Sequence, residues 1–326
     1  GFSCRTYPEN KVMTLTVAYA EDTSTDDKVK KLQDRLLDRK EPLAKRMRVV
    51  CSLRAVKGQG TVEALASCLD DESALLRHEI AYALGQKEEA SALGVLVDCL
   101  KKDPDSMVRH EAAEALGAIG SPEALQILEE FEECDVEEVA DTCQLALDRI
   151  RWAQKKQAEG SRANEELQSK FLSIDPAPPA DSSLPVEELV RRLGDSSQRL
   201  FERYGYLFAL RDKGTPEAAE GLGKVLLEDR SSAVLRHEVA FVLGQMQQRA
   251  ALPSLESSLR DLAENQMVRH EAAEAIGAIA EESANPLLAE FSKDSNQVVA
   301  ESCVIALDIS DYWTDDTQFE YAHVDK

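Results

Sequence analysis

Paired thiols, long apolar runs and a surplus of basic residues are all missing from this chain of 326 residues. Its seven cysteines, Cys4, Cys51, Cys68, Cys99, Cys134, Cys143 and Cys303, include no C-x-x-C pair, and an odd number cannot close completely into disulfides. A reducing, cytoplasmic setting is expected. No apolar stretch reaches the length that spans a bilayer, and the most membrane-like segment, Val12 to Ala20, is short and carries Thr14 and Thr16. Neither a membrane partner nor a cleaved leader is expected. Lysine and arginine number 38 against 61 acidic residues, and the formal net charge of -23 repels a phosphate backbone. Nucleic acid is thereby disfavoured as a direct ligand and cationic partners are favoured, although most of the acidic surplus reads as solvated helix faces. With 43% hydrophobic residues the chain is too apolar to stay unfolded, and it is long enough for two domains or one repeat array.

What is present is an internal repeat. Four segments align without gaps: LRHEIAYALGQ (76–86), VRHEAAEALGA (108–118), LRHEVAFVLGQ (235–245) and VRHEAAEAIGA (268–278). The first resembles the third and the second the fourth, so a two-repeat unit has been duplicated. Ser73, Asp105, Ser232 and Asn265 stand five residues before the histidines, where a side-chain oxygen caps a helix start. Gly85, Gly117, Gly244 and Gly277 stand seven after, and are expected to stop the helices in a left-handed turn. A period near 32 residues with apolar residues at helical spacing predicts stacked helix pairs. The pattern V-R-x-x-A-A-x-A-L-G resembles HEAT repeats.

The expected fold is therefore an all-α solenoid in two pseudo-symmetric halves of about four helix pairs each, at 28–151 and 186–310. Residues 152–185, polar and then proline-rich, read as a linker; 1–27 are expected to be a disordered extension and 311–326 a tail.

All four central repeats place His-Glu after the arginine: His78-Glu79, His110-Glu111, His237-Glu238 and His270-Glu271. The outer repeats show Asp141-Thr142 and Glu301-Ser302 in the same register, so the scaffold itself does not require His-Glu. Imidazole with carboxylate suits redox-active iron, and also zinc or manganese, while the absence of thiolate disfavours a closed structural zinc site. Adjacent residues diverge by about 100 degrees around a helix, so a histidine and its neighbouring glutamate more naturally serve different centres. Two metals, each with two histidines and one carboxylate, use the set economically. Against this stands an ordinary reading in which the dipeptides are surface groups paired with Arg77, Arg109, Arg236 and Arg269 on a plain adaptor. One turn after the histidines, Tyr82 and Phe241 or Glu114 and Glu274 are positioned to line the same groove, and His323 lies alone in the tail.

Together with FLSIDPAPP at 171–179 and DYW followed by FEYA near the end, the four dipeptides resemble the deoxyhypusine hydroxylase family from about residue 28 onward. That resemblance implies a non-haem, dioxygen-dependent monooxygenase with two Fe2+ ions, acting on the deoxyhypusine form of eukaryotic translation initiation factor 5A in the cytoplasm. It implies one iron on His78, His110 and Glu238 and another on His237, His270 and Glu79. Glu111 and Glu271 are then left to meet the substrate's amines, and no catalytic residue apart from the metal ligands is implied.

Overall fold

The structure is a computed structural model that describes residues 25–56, 60–160, 171 and 173–314, and sixteen α-helices account for most of them. In the first half α1 (Thr25–Leu37) pairs with α2 (Leu43–Ala55), α3 (Thr61–Ala66) with α4 (Ala74–Gln86), α5 (Leu93–Lys102) with α6 (Ser106–Ile119), and α7 (Leu125–Phe131) with α8 (Glu137–Ala158). In the second half α9 (Val186–Leu193) pairs with α10 (Leu200–Lys213), and α11 (Pro216–Glu228) with α12 (Ala233–Met246). There follow α13 (Leu252–Arg260) with α14 (Gln266–Ile279), and α15 (Asn285–Phe291) with α16 (Gln297–Thr314). Four helix pairs per half is the number the repeat period implies.

The helix starts follow from the caps. Ser73, Asp105, Ser232 and Asn265 each accept a hydrogen bond from a first-turn amide, those of Leu76, Met107, Leu235 and Met267. The expected glycine stops are a correction. Gly85, Gly117, Gly244 and Gly277 lie inside their helices, and the left-handed stops are instead Gly120, Gln247 and Ala280, with φ of 70, 53 and 55°. A Cβ at Gly85 would lie 2.7 Å from Ala115, at Gly117 2.8 Å from Ala146, at Gly244 3.1 Å from Ala275, and at Gly277 2.5 Å from the Ala306 carbonyl oxygen. These glycines let successive inner helices touch, which no larger residue permits.

Leucine, isoleucine, valine and alanine from every pair fuse into one continuous core between the inner row (α2, α4, α6, α8 and α10, α12, α14, α16) and its outer partners. The two halves repeat their polar fittings as well. Arg46 donates to the Leu36 carbonyl and pairs with Asp71; Arg203 donates to the Leu193 carbonyl and pairs with Asp229.

The halves then close on one another, α8 packing against α10 and α12, and α16 against α2 and α4. Glu301 accepts from the Ser73 hydroxyl at 2.6 Å and Asp141 from the Ser232 hydroxyl at 2.7 Å, so each half's last repeat clasps a helix cap of the other. The connecting segment does more than span. Helix α8 runs on to Ala158, past the boundary expected at 151, and residues 173–178 form a strap across both halves. Gln86 holds the Ile174 amide at 2.8 Å, Arg149 donates to the Asp175 carbonyl, and the buried Asp175 carboxylate takes Arg211 at 2.6 and 2.9 Å. Of the extension expected over 1–27, residues 25–27 open α1 and 1–24 lie outside the described residues; of the tail expected over 311–326, residues 311–314 close α16 and the rest lie outside them. No described helix is long and apolar enough to cross a membrane, and the described cysteines are all free thiols.

Candidate metal centre

Every His-Glu pair sits in the first half of an inner helix, on the side turned toward the opposite half. Ring closure therefore brings α4, α6, α12 and α14 together around one interior point. The four imidazoles are at most 4% exposed, and five of their six ring pairs have centroids between 5.1 and 6.5 Å apart. All four glutamates, Glu79, Glu111, Glu238 and Glu271, are buried with them. The reading of the dipeptides as surface groups is thereby overturned. Their arginines turn away: Arg77 pairs with Asp103, Arg236 with Glu264 and Arg269 with Asp294, while Arg109 donates to the Leu100 carbonyl.

Contacts across the cavity are close. Oε2 of Glu111 stands 3.0 Å from Nε2 of His78 and 3.8 Å from Nε2 of His110; Oε2 of Glu271 stands 3.5 Å from Nε2 of His237; Oε1 of Glu79 stands 3.7 Å from Nδ1 of His78. Glu238 is buried in the same interior and is 4% exposed. Two sets of donor atoms, His78 with His110 and His237, and His237 with His270 and Glu271, each fall within 4.8 Å of one another.

Burial and mutual charge perturb the four histidines together with Glu111, Glu238 and Glu271. Burial disfavours charge on His78, but the Glu111 and Glu79 carboxylates outweigh it and raise its pKa to about 10. Burial drives His110 down to about 4 and His270 to about 3, and puts His237 well below its ordinary value, the neighbouring histidines adding to each shift. Glu238 is pushed well above the carboxylate range by burial and by the charges of Glu114 and Asp175, and burial raises Glu271 in the same direction. Glu111 goes the other way, because His78 overcomes its burial.

Whether this set fits metal can be tested on the nitrogens. Of eight imidazole ring nitrogens, six are buried without a hydrogen-bond partner; Nε2 of His78 has only the Glu111 carboxylate at 3.0 Å, and Nδ1 of His110 meets the Thr142 hydroxyl at 2.6 Å. Buried polar atoms without partners cost roughly 1–3 kcal/mol each, so such a cluster persists only where something else satisfies it. Converging imidazole and carboxylate, with no cysteine in either set among the described residues, suits redox-active iron as it does zinc or manganese, and these residues fit such a metal.

The groove positions one turn on behave as their spacing implies. Tyr82 and Phe241 meet edge to face at 6.2 Å, and Glu274 reaches within 3.7 Å of Nδ1 of His270. Sequence reasoning misses Thr142, which differs from the His-Glu pattern in the same register, and Asp175, which lies in the expected linker. The only signal for Thr142 was its register with the His-Glu pairs. His323 lies outside the described residues.

The chain matches the HEAT repeats family over residues 62–148 and 219–308. It is 48% identical to the deoxyhypusine hydroxylase of Dictyostelium discoideum over 300 residues, 91% of this chain and 93% of that protein. It is 45% identical to the deoxyhypusine hydroxylase of Homo sapiens over 299 residues, 91% of this chain and 96% of that protein. The solved structure of human deoxyhypusine hydroxylase in complex with glycerol superposes with a TM-score of 0.83, covering 88% of this chain and 97% of that one. Similarity of this degree runs through both halves and the strap that joins them, and this chain therefore belongs to the deoxyhypusine hydroxylase family.

Proposed function

We propose that this chain hydroxylates the deoxyhypusine side chain of eukaryotic translation initiation factor 5A in the cytoplasm, using dioxygen at two iron ions held between its halves. The convergence of four buried His-Glu pairs on one interior point carries the reading, and the relatives' name, deoxyhypusine hydroxylase, supports deoxyhypusine as the group acted on. On the family resemblance one iron would be held by His78, His110 and Glu238 and the other by His237, His270 and Glu79, although the carboxylate gathered with His237 and His270 is Glu271. Bound iron supplies the electrons that let dioxygen attack a carbon–hydrogen bond, which no protein side chain can do alone.

The chain's own residues do the rest. The imidazoles of His110, His237 and His270 stay neutral because burial opposes their charge, leaving lone pairs available for a metal. Glu111 and Glu271 are left to receive the cationic amines of the substrate arm, where a buried carboxylate binds an ammonium strongly. The close inner helices exclude bulk water, which strengthens every interaction inside.

The test is reconstitution under anaerobic conditions with Fe2+, followed by 18O2 and the deoxyhypusine form of the factor. About two irons per chain and one 18O atom in the product are expected; a chain that holds no iron, or a product without label, overturns the reading. Two variants separate the glutamate roles. Glu79→Gln is expected to lower iron content, whereas Glu111→Gln is expected to keep both irons and raise KM for the factor.

A further inference from the structure

We propose that Thr142 is a positioning residue of the metal centre, holding the His110 ring in the one tautomer that offers Nε2 to a metal. This rests on the metal-centre reading above. Thr142 stands on α8, outside the four His-Glu helices, in a repeat that carries no ligand of its own. Its Oγ1 lies 2.6 Å from Nδ1 of His110. A hydroxyl has a single proton, and the Thr142 proton is given to the Glu138 carbonyl oxygen at 2.7 Å, one helical turn back.

With its proton on the Glu138 carbonyl, Oγ1 accepts from the ring and Nδ1 carries the imidazole proton. In a neutral imidazole the other nitrogen is then bare. That atom, Nε2 of His110, is buried, has no hydrogen-bond partner, and belongs to the residue set that gathers His78, His110 and His237. Histidines that bind metals anchor their remaining N–H in this way, and removing the anchor weakens binding by about 10–100-fold.

The second half does not copy the arrangement. Ser302 takes the matching place on α16, yet its buried hydroxyl has no hydrogen-bond partner, and Oε1 of Glu274 lies 3.7 Å from Nδ1 of His270. One histidine of the duplicated pair is thus backed by a hydroxyl at hydrogen-bond distance, whereas Nδ1 of the other has no hydrogen-bond partner. Loss of the hydroxyl is felt at one metal site only.

The experiment uses the full chain labelled with 15N-histidine, first without metal. Two-bond proton–nitrogen correlations are expected to show His110 protonated at Nδ1 in the wild type and in Thr142→Ser, and to lose that state in Thr142→Val, or in Thr142→Ala should valine not fold. The same proteins are then titrated with Co2+ as the probe. Wild type and Thr142→Ser are expected to bind two ions, and the valine variant to bind one about 10–100-fold more weakly with the other within about twofold. A wild-type His110 protonated at Nε2, or a valine variant that binds both ions as the wild type does, overturns the proposal. The expected tautomer in a wild-type chain that binds no ion overturns the metal reading, and this role with it.

Discussion

Helices α6 and α8 are neighbours with the same repeat pattern and the same inward-facing register, yet α6 carries His110-Glu111 and α8 carries Asp141-Thr142. The first pair ends in the central cavity, whereas Asp141 clasps the Ser232 cap across the ring and Thr142 backs His110. Helices α14 and α16 repeat the contrast, with His270-Glu271 inside and Glu301 on the Ser73 cap. The repeat scaffold thus delivers two side chains per repeat to the space between the halves. The last repeat of each half uses the first of them, Asp141 or Glu301, to hold the ring shut, whereas the central repeats turn both into the His-Glu cluster.

The strongest attack on this division exchanges the two kinds of position. His78→Ala or His237→Ala is expected to lower hydroxylation by at least about a thousandfold, because a bound metal contributes several kcal/mol to the chemical step. Glu301→Gln, at the same register in an outer repeat, is expected to keep both irons and most of the activity. Iron analysis alongside 18O incorporation measures both, and equal losses in the two variants would erase the distinction.

Next in size is the close approach that places the helices. Gly277→Ala forces a Cβ to 2.5 Å from a backbone oxygen that cannot move aside, and is expected to cost about 1–3 kcal/mol in a denaturant midpoint. Gly94→Ala on α5 meets nothing within 4 Å and is expected to be neutral or to stabilise by up to about 1 kcal/mol. A smaller loss, about 1 kcal/mol, is expected for Ser232→Ala, which removes a helix cap together with its bond to Asp141.

The mildest test is acid. Burial pushes the Asp71 and Asp229 carboxyls up, but Arg46 and Arg203 outweigh it and leave both below the ordinary value of 3.8. A carboxylate depressed in the folded state stabilises the fold above its unfolded pKa, and that contribution is lost as pH falls through the folded pKa. The denaturant midpoint is therefore expected to decline as pH drops below about 4. An Asp71→Asn, Asp229→Asn double variant is expected to start lower and decline less.

The helix pairs, their caps and the eight His-Glu side chains buried together were legible in the sequence, because a helix repeats every 3.6 residues and a duplicated pattern shows which positions depart from the scaffold. Gly85 and its three counterparts were misread for a related reason. Their spacing marks them as special, but a left-handed turn and a contact with Ala115 on the next helix leave the same trace in one chain. Asp175 was unreadable, since nothing near it in sequence hints that Arg211, 36 residues on, will bury its charge.

Local periodicity, then, decided by itself which residues face inward, and composition decided that those residues carry nitrogen and oxygen donors without sulfur. Only the closed ring decided which donors meet. The 3.0 Å approach of Glu111 to His78 and the 2.6 Å approach of Thr142 to His110 join different repeats, and the Ser232 clasp joins different halves. Such distances depend on how helices far apart in the chain are pressed together, a quantity set by the packing of the whole core and written in no single stretch of it.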